Sequence, residues 1–560
     1  VPAPVARPFP DDKARPEEKT MHGLMMNYPL TLTSILKRAR DLFADGEIVT
    51  REPGGVHRYT YGEFHDRVLR LMGALKAAGV KPGDRVATFA WNRYQHLELY
   101  FAVPCLGAVL HTLNIRLSTD QLTYLVNHAE DRMIFVDESL ADQLAPLQEH
   151  CKGVERFVVM REGGSETFGL RGETEYEDFL ASGTPVTELP ELDENTACAI
   201  CYTSGTTGNP KGALYSHRGL YLHTMAIGMA DVMGLSQQDS ALVFVPMFHV
   251  NAWGLPFAGV MFGGKLVFPG RNPQAADVVE LIRGEEVTFA AGVPTIWMMV
   301  DQYLQQHGGD LKPLQRVACG GSAVPAALMR AFDERYGVPI VQLWGMTELS
   351  PLGTVSRLKR RLREASAEEK YAARLKAGIP VPGIEMRIEG PDGEILPNDG
   401  HSVGELVVRG PWVISNYFKM EGAGKSFTED GWFRTGDVAA LDADGYMRIA
   451  DRVKDLIKSG GEWISSVDME NALMAHPAVA EAAVVARPDP KWDERPVAFL
   501  VPRPGREAEL TPDAVQEFLG SNGDFAKWQI PYADDIHLID AIPRTSVGKF
   551  DKKVLRRRWE

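Results

Sequence analysis

The sequence predicts an α/β protein: a large N-terminal domain of doubly wound α/β layers, a β-rich subdomain, and a small α+β C-terminal domain. Three observations carry this. Short apolar, β-branched runs alternate with amphipathic stretches of helical spacing through most of the first 345 residues. From Gly378 the texture changes to short strands broken by Gly, Pro and Asp. Beyond Asp451 a compact α+β pattern follows. A chain of 560 residues also exceeds what one hydrophobic core supports.

Residues 1–25 begin Val1-Pro-Ala-Pro, run into a charged stretch over 11–19, and hold no apolar core of a signal peptide. They are expected to form a flexible tail, with packing on the large domain as the lesser alternative. Residues 26–450 make the large domain. Its strands are expected over 85–90, 133–136, 241–246, 265–268, 287–291, 317–319 and 338–344, with helices over 275–284, 295–305 and 326–336. In such layers ligands gather beyond the carboxyl ends of the strands, where Thr203, Gly320 and Thr347 fall. The charge run over 357–376 reads first as a solvated helix covering the core and second as a partner surface. The β-rich part, about 378–450, carries strands over 385–389, 404–409 and 445–450. In the small domain, 451–560, helices are expected near 466–475 and 512–519 and strands near 482–486 and 497–501. No internal repeat is visible, and no carrier-protein segment follows.

A hydrophobic content of 44% with 24% charged residues is that of a soluble globular protein. The net charge of −15 argues against a nucleic-acid binder, which would show a basic face. No apolar run approaches the ~20 residues of a membrane span. Cys198 and Cys201 have the spacing of a redox pair or half a zinc site, yet strand alternation puts them on opposite faces and nothing completes a metal site. A cytoplasmic, thiol-reduced protein is expected.

The most informative stretch is Tyr202-Thr-Ser-Gly-Thr-Thr-Gly-Asn-Pro-Lys-Gly212. It follows the apolar run over 197–201 and offers glycines, hydroxyls and one ammonium. A strand feeding such a loop can turn N–H groups and a cation toward a phosphate. It is not the common P-loop, because Lys211 is followed by Gly212 rather than Ser or Thr. Composition alone leaves an ordinary flexible turn open.

Further motifs follow in order: Gln342-Leu-Trp-Gly-Met-Thr-Glu348, Gly404-Glu-Leu-Val-Val-Arg-Gly410, Trp432-Phe-Arg-Thr-Gly-Asp437, Asp451-Arg-Val-Lys-Asp455, Ser459-Gly-Gly-Glu-Trp463 and Pro543-Arg-Thr-Ser-Val-Gly-Lys549. From about residue 30 onward the chain resembles the adenylate-forming superfamily of acyl-CoA synthetases, peptide-synthetase adenylation domains and firefly luciferase. The resemblance implies two steps. A carboxylate attacks the α-phosphorus of ATP to give an acyl adenylate and pyrophosphate, and the thiol of CoA then displaces AMP.

For the first step it implies that Thr203 and Glu348 hold Mg²⁺, a hard cation suited to oxygen ligands. Ser204, Gly205, Thr206, Thr207, Gly208 and Lys211 would wrap the β- and γ-phosphates. Gln342, Trp344, Gly321 and Ser322 would frame the adenine, with Val250, Trp253, Gly345 and Thr347 also on the nucleotide. Trp344 stands where the family usually has tyrosine; indole stacks but lacks the phenol's acceptor. Asp437 would accept both ribose hydroxyls and Arg452 would reach the same sugar, although Gly-Asp is more usually a turn. Lys549 would bridge the carboxylate and α-phosphate, stabilising charge that develops in the transition state. Lys454 and Lys458 would also bind the nucleotide. For the second step the small, mobile domain would rotate about Asp451, exchanging Lys549 for a face that carries Lys454 and, on the CoA side, Lys458, Gly460, Gly461 and Trp463, with Trp463 on either the nucleotide or the CoA side.

Phe248-His-Val-Asn-Ala-Trp-Gly254 narrows the resemblance to bacterial medium- and long-chain fatty acyl-CoA synthetases. There Trp253 would gate the acyl tunnel and His249 would lie by the carboxylate, a catalytic position. Taken alone, these are more often a core aromatic and a structural histidine. Gly292, Val293, Gly320 and Gly321 are candidate tunnel lining. No lysine or arginine in these segments awaits a second carboxylate, so an apolar monocarboxylic acid is favoured. Ligases for short acids such as methylthiopropionate share the signature and are the runner-up; a luciferase-like oxygenase is the alternative of another class. The resemblance also allows a homodimer, which no feature of the sequence demonstrates.

Overall fold

The structure, a computed structural model, describes residues 23–203, 209–421, 424–452, 454–459, 462–522, 525–545 and 550–558. The helices and short strands of the N-terminal part form two large sheets. A seven-stranded sheet runs Thr174–Glu175, Arg156–Met160, Asp131–Asp137, Arg85–Phe89, Val109–Thr112, Ala197–Tyr202 and Gly212–Ser216. All neighbours are parallel except the last pair, which is antiparallel. A nine-stranded sheet has Ile340–Gly345, Arg316–Cys319, Phe289–Gly292, Ser240–Leu242 and Lys265–Phe268 in parallel at its centre. One core joins buried residues of both sheets and the helices between them, and the outer face of each sheet packs a separate core of its own. The strands are buried on both faces, which explains their near-continuous apolar character.

The expected elements recur with small shifts. The helix Ala275–Gly284 has the expected bounds, and a second runs Pro294–His307. The strand expected over 241–246 ends at Leu242. There Asn92 Nδ2 donates to the carbonyls of Val243 and Val245 and its Oδ1 accepts from Met247 N–H, which draws the chain out of the sheet. The helix expected over 326–336 is α-helical to Ala331 and widens into a π turn over Phe332–Tyr336. The charge run over 357–376 contributes a 3₁₀ turn, Arg360–Leu362, and an α-helix, Ala367–Arg374, capped by Ser366. It is pinned by Arg374 to Asp333 and by Lys376 to Asp442.

The β-rich part is an antiparallel sheet of Glu385–Glu389, Gly404–Arg409, Phe433–Leu441 and Met447–Arg452. The sequence reading has no strand over 433–441, because Gly436-Asp437 reads as a turn. Gly436 does have a positive φ of 70°, yet pairing resumes around it and Asp437 lies opposite Arg452. Asp451 is the penultimate residue of the last strand. Beyond it, Asp493–Pro502 pairs with Val479–Asp489, Ile457–Ser459 and Ile536–Leu538, with helix Ser466–Met474 packed alongside. Asp451 joins the two parts: its carboxylate accepts from Arg452 N–H at 2.7 Å and from Ser466 N–H and Oγ at 2.7 and 2.6 Å.

All five cysteines are buried and unpaired, and Cys198 donates to the Tyr215 carbonyl. Among the described residues no helix is long and apolar enough to cross a membrane.

Candidate active site

A cleft of about 510 Å³ opens where the carboxyl ends of several strands meet the β-rich sheet and the small domain. Its first wall is the neck of the hydroxyl-rich loop. Strands Ala197–Tyr202 and Gly212–Ser216 pair up to Tyr202 opposite Gly212. Just beyond, Thr203 N–H donates to the Lys211 carbonyl at 2.9 Å, and Thr203 Oγ1 accepts from Lys211 N–H at 3.1 Å. Thr203 and Lys211 both line the cleft; Ser204, Gly205, Thr206, Thr207 and Gly208 lie outside the described residues. The Tyr202 hydroxyl shares a hydrogen bond of 2.7 Å with His128 Nδ1, which anchors the strand end feeding the loop.

Opposite this neck stands Glu348, in a 3₁₀ turn after the central strand Ile340–Gly345. It is buried, and burial pushes its carboxyl up; a hydrogen bond from Tyr417 opposes that shift. The Tyr417 hydroxyl donates to Glu348 Oε1 at 2.7 Å, and Lys211 Nζ lies 4.7 Å from the centre of the Tyr417 ring. One tyrosine therefore touches both the expected phosphate cation and the expected metal carboxylate. No sequence signal pointed to Tyr417, because its partners are 69 and 206 positions away in the chain. Tyr215 adds a second clamp, donating to the Thr347 carbonyl at 2.7 Å.

Among the described residues no group of three or more His, Cys, Asp or Glu side chains is arranged to hold a metal. Thr203 Oγ1 and the Glu348 carboxylate share the cleft, and a hydroxyl with a buried carboxylate fits Mg²⁺ when substrate phosphates supply the remaining oxygens.

The second wall, where the sequence reading expects the nucleotide, is Gly320, Gly321, Trp344, Gly345 and Thr347. Trp344 is 7% exposed, and its indole N–H donates to Asp437 Oδ2 at 2.9 Å. Arg452 Nε meets Asp437 Oδ1 at 2.6 Å. Gln342, expected beside the adenine, does not line the cleft. Its Oε1 accepts from Val324 N–H at 3.1 Å and its Nε2 donates to the Leu375 carbonyl at 3.3 Å, which ties down the loop after Cys319. Ser322 is not among the cleft-lining residues.

The third wall carries His249, Val250 and Trp253. Here Val250, Asn251, Ala252 and Trp253 all have positive φ, 45° to 57°, followed by Gly254 at 80°. Left-handed backbone costs an L-residue roughly 1–2 kcal/mol, and more for a β-branched one such as Val250. The turn is over-determined by burial: Val250, Asn251, Ala252 and Trp253 are all under 9% exposed, and the Asn251 side chain accepts from Cys201 Sγ. Glycine is required at 254, where a Cβ would come within 2.8 Å of the buried His223 ring. Gly292 ends its strand and Val293 caps the next helix; neither lines the cleft, and Gly292 backs onto the Trp297 indole.

The fourth wall comes from the small domain and its junction: Arg452, Lys454, Thr545 and Phe550. Lys454 is held below the ordinary lysine range by burial and by neighbouring Arg452 and Arg556. Thr545 and Phe550 flank residues 546–549, so Lys549 lies outside the described residues while both neighbours of that stretch line the cleft. Gly460 and Gly461 are likewise undescribed. Lys458 and Trp463 face each other in paired strands, and Lys458 N–H donates to Glu494 at 2.7 Å. A separate cavity of about 410 Å³ on the small domain is lined by Trp492, Arg495, Lys527, Trp528 and Tyr532.

Two family models match the chain: the AMP-binding enzyme over residues 37–418, and the AMP-binding enzyme C-terminal domain over residues 468–549. A long-chain-fatty-acid–CoA ligase of Thermus thermophilus is 48% identical over 96% of this chain and 97% of its own length. A 3-methylmercaptopropionyl-CoA ligase of Ruegeria pomeroyi is 43% identical over 96% and 99%. A medium-chain-fatty-acid–CoA ligase of Ectopseudomonas oleovorans is 42% identical over 96% and 98%. Among solved structures, the anthranilate CoA ligase AuaEII bound to anthranoyl-AMP superposes with a TM-score of 0.84 at 25% identity, over 95% of this chain and 98% of that one.

Proposed function

Because the chain belongs to the AMP-binding enzymes, the adenylate-forming acyl-CoA ligases, we propose that it joins an apolar monocarboxylic acid, a medium- or long-chain fatty acid, to CoA at the expense of ATP. The single observation that carries this reading is the convergence in one cleft of Thr203 and Lys211, Trp344 and Glu348, His249 and Trp253, and Thr545 and Phe550. Those pairs come from four distant stretches of chain, and each brings chemistry that one of the three reacting anions or the base requires.

In the first step Lys211 and Thr203 receive the β- and γ-phosphates at the loop neck, and Asp437 receives the ribose hydroxyls. Mg²⁺, held by Thr203 and Glu348, would neutralise phosphate charge that this acidic protein's overall field cannot. The fatty carboxylate enters beside His249 along the Val250–Trp253 wall. Its oxygen attacks the α-phosphorus, and pyrophosphate leaves. Lys549 is assigned the bridging cation for this step; its flanking residues Thr545 and Phe550 on the cleft wall support that assignment.

For the second step the domain arrangement read from the sequence is retained: a large domain to about 450, and a small one turning on Asp451. The turn must break the hydrogen bonds between Asp451 and Ser466, two contacts of 2.7 and 2.6 Å that favour the arrangement described here. Displacement of AMP needs only the thiol of CoA, so none of the five buried cysteines takes part. The aromatic and cationic cavity of Trp492, Lys527, Trp528 and Tyr532 supplies stacking faces and positive charge suited to the nucleotide end of CoA. We place the enzyme in the cytoplasm and retain the homodimer as a proposal that light scattering on the purified protein decides.

A sulfur-containing short acid is the second reading, favoured by the 43% identity to a 3-methylmercaptopropionyl-CoA ligase over nearly the whole chain. The experiment is AMP and pyrophosphate release with ATP and Mg²⁺ across straight-chain acids from acetate to stearate and 3-(methylthio)propionate, with and without CoA. CoA-dependent turnover peaking at medium or long chains is expected. A peak at short or sulfur-containing acids replaces the substrate; pyrophosphate without thioester overturns the ligase reading.

A further inference from the structure

Trp344 stands where the related pattern has a tyrosine, and the structure shows what the indole does there. Its Nε1–H is 2.9 Å from Asp437 Oδ2, across 93 positions of chain. Both groups are nearly water-free, Trp344 at 7% and Asp437 at 2% exposure. The seat for the ring is cut into the neighbouring strand. Trp344 pairs opposite Thr354, and a Cβ on the adjacent Gly353 would come within 2.6 Å of Trp344 Cε3 and closer still to Cζ3. A strand with any side chain at 353 would push the indole out, so this wall is built around one orientation of the ring.

We propose that Trp344 is a positioning residue for the nucleotide sugar, acting through Asp437 in addition to forming the wall of the base site. The inference rests on the reading above that Asp437 accepts the ribose hydroxyls. A carboxylate offers about four lone-pair directions on its two oxygens. Trp344 takes one on Oδ2 and Arg452 takes one on Oδ1, at 2.6 Å. One acceptor direction is left on each oxygen, which matches a pair of vicinal hydroxyls. Indole N–H can only donate, so the bond exists only while Asp437 is an acceptor. The two donors also differ in where they sit. Arg452 ends the strand paired with Asp437's own strand and directly follows the proposed hinge residue, whereas Trp344 reaches Asp437 from the separate nine-stranded sheet. Trp344 is therefore the donor that does not border the hinge, and it fixes the aim of the carboxylate from the nine-stranded sheet.

The alternative is that Trp344 serves the base alone, by stacking. Binding of AMP to the full-length protein by titration calorimetry separates the two, and it needs neither acid nor CoA. Four proteins are compared: wild type, W344F, D437A and the double variant. W344F keeps an aromatic face and loses the N–H. It is expected to bind AMP about tenfold more weakly, D437A at least as weakly, and the double variant within about twofold of D437A, because both changes remove one interaction. Penalties that multiply in the double variant overturn the proposal. A second arm uses 2′-deoxy- and 3′-deoxy-AMP: the loss on removing a hydroxyl should be large in wild type and should shrink in W344F. An undiminished loss overturns it as well. G353A, which leaves the indole in place in the sequence but displaces it, should reproduce the W344F pattern. It covers the case in which W344F does not fold, which a thermal melt reports. Wild-type protein that binds AMP with independent penalties sinks this proposal alone; wild-type protein that binds AMP but turns over no acid sinks the ligase reading alone.

Discussion

Replacing Tyr417 by phenylalanine removes one oxygen from the centre of the cleft and leaves the ring. That oxygen donates to Glu348 Oε1 at 2.7 Å, in a pocket where Tyr417 is 8% and Glu348 6% exposed. A hydrogen bond to a charged group contributes about 1.5–3 kcal/mol. At 1.4 kcal/mol per decade, its loss should slow adenylation by about ten- to a hundredfold if Glu348 must be held in place for the reaction. The phenyl ring still faces Lys211 Nζ, so the cation–π contact, worth about 0.5–2 kcal/mol, survives in Y417F and is lost in Y417A. Y417A should therefore be slower again by a further factor of about two to thirty. The assay is acid-dependent exchange of pyrophosphate into ATP at saturating Mg²⁺ and fixed pH, with melting temperatures recorded alongside. Exchange in Y417F within twofold of wild type, with the protein folded, would refute the reasoning that Tyr417 orients Glu348. Equal rates in Y417F and Y417A would remove Lys211 from the argument.

Three further outcomes are expected. Burial lowers His96 and His217 to about 4 and His223 to about 3, each below the ordinary histidine value of 6.5. The unfolded chain takes up these protons first, so the histidine contribution is complete above pH 6.5 and falls as pH drops toward 4, by about 1.4 kcal/mol per histidine per unit of separation. Buried Glu98 and Asp131, pushed up by burial, act in the opposite sense, so the test is the difference between wild type and H223Q in urea melts from pH 7 to 5; a difference that does not change with pH refutes it. Lys552 bonds Ser466 Oγ at 2.6 Å and Glu470 at 2.7 Å, so K552M strands a buried carboxylate and should cost about 3 kcal/mol, read as a lower melting point of the small domain by calorimetry. W528A should raise KM for CoA about fivefold more than KM for ATP; an equal rise of both would take the cavity of Trp492 and Trp528 out of CoA binding.

The loop neck and several element bounds were legible from the chain because local patterns encode local geometry. A strand ending in glycines and hydroxyls becomes a loop neck, and Thr203 and Lys211 do close it. Helix Ala275–Gly284 was bounded correctly from its apolar spacing. What failed to show was set by pairing partners far off in sequence. Asp437 reads as a turn residue, yet the strand Met447–Arg452 draws it into a sheet. Gln342 sits in a nucleotide motif, but Val324 and Leu375 claim its amide. The left-handed run of Val250 to Trp253 runs against the local preference of Val250, Ala252 and Trp253, though not of Asn251, and is held in a buried setting.

The sequence by itself determined the layers, the order of the elements and the chemical kinds brought to the site, since hydrophobic period and side-chain type are properties of short stretches. Only the tertiary structure decided which donor meets which acceptor: Tyr417 on Glu348, Trp344 on Asp437, Ser466 on Asp451. Each of those bonds joins residues between 15 and 93 positions apart. Its strength depends on distance and burial, which the packing of whole sheets and domains fixes and no local pattern carries.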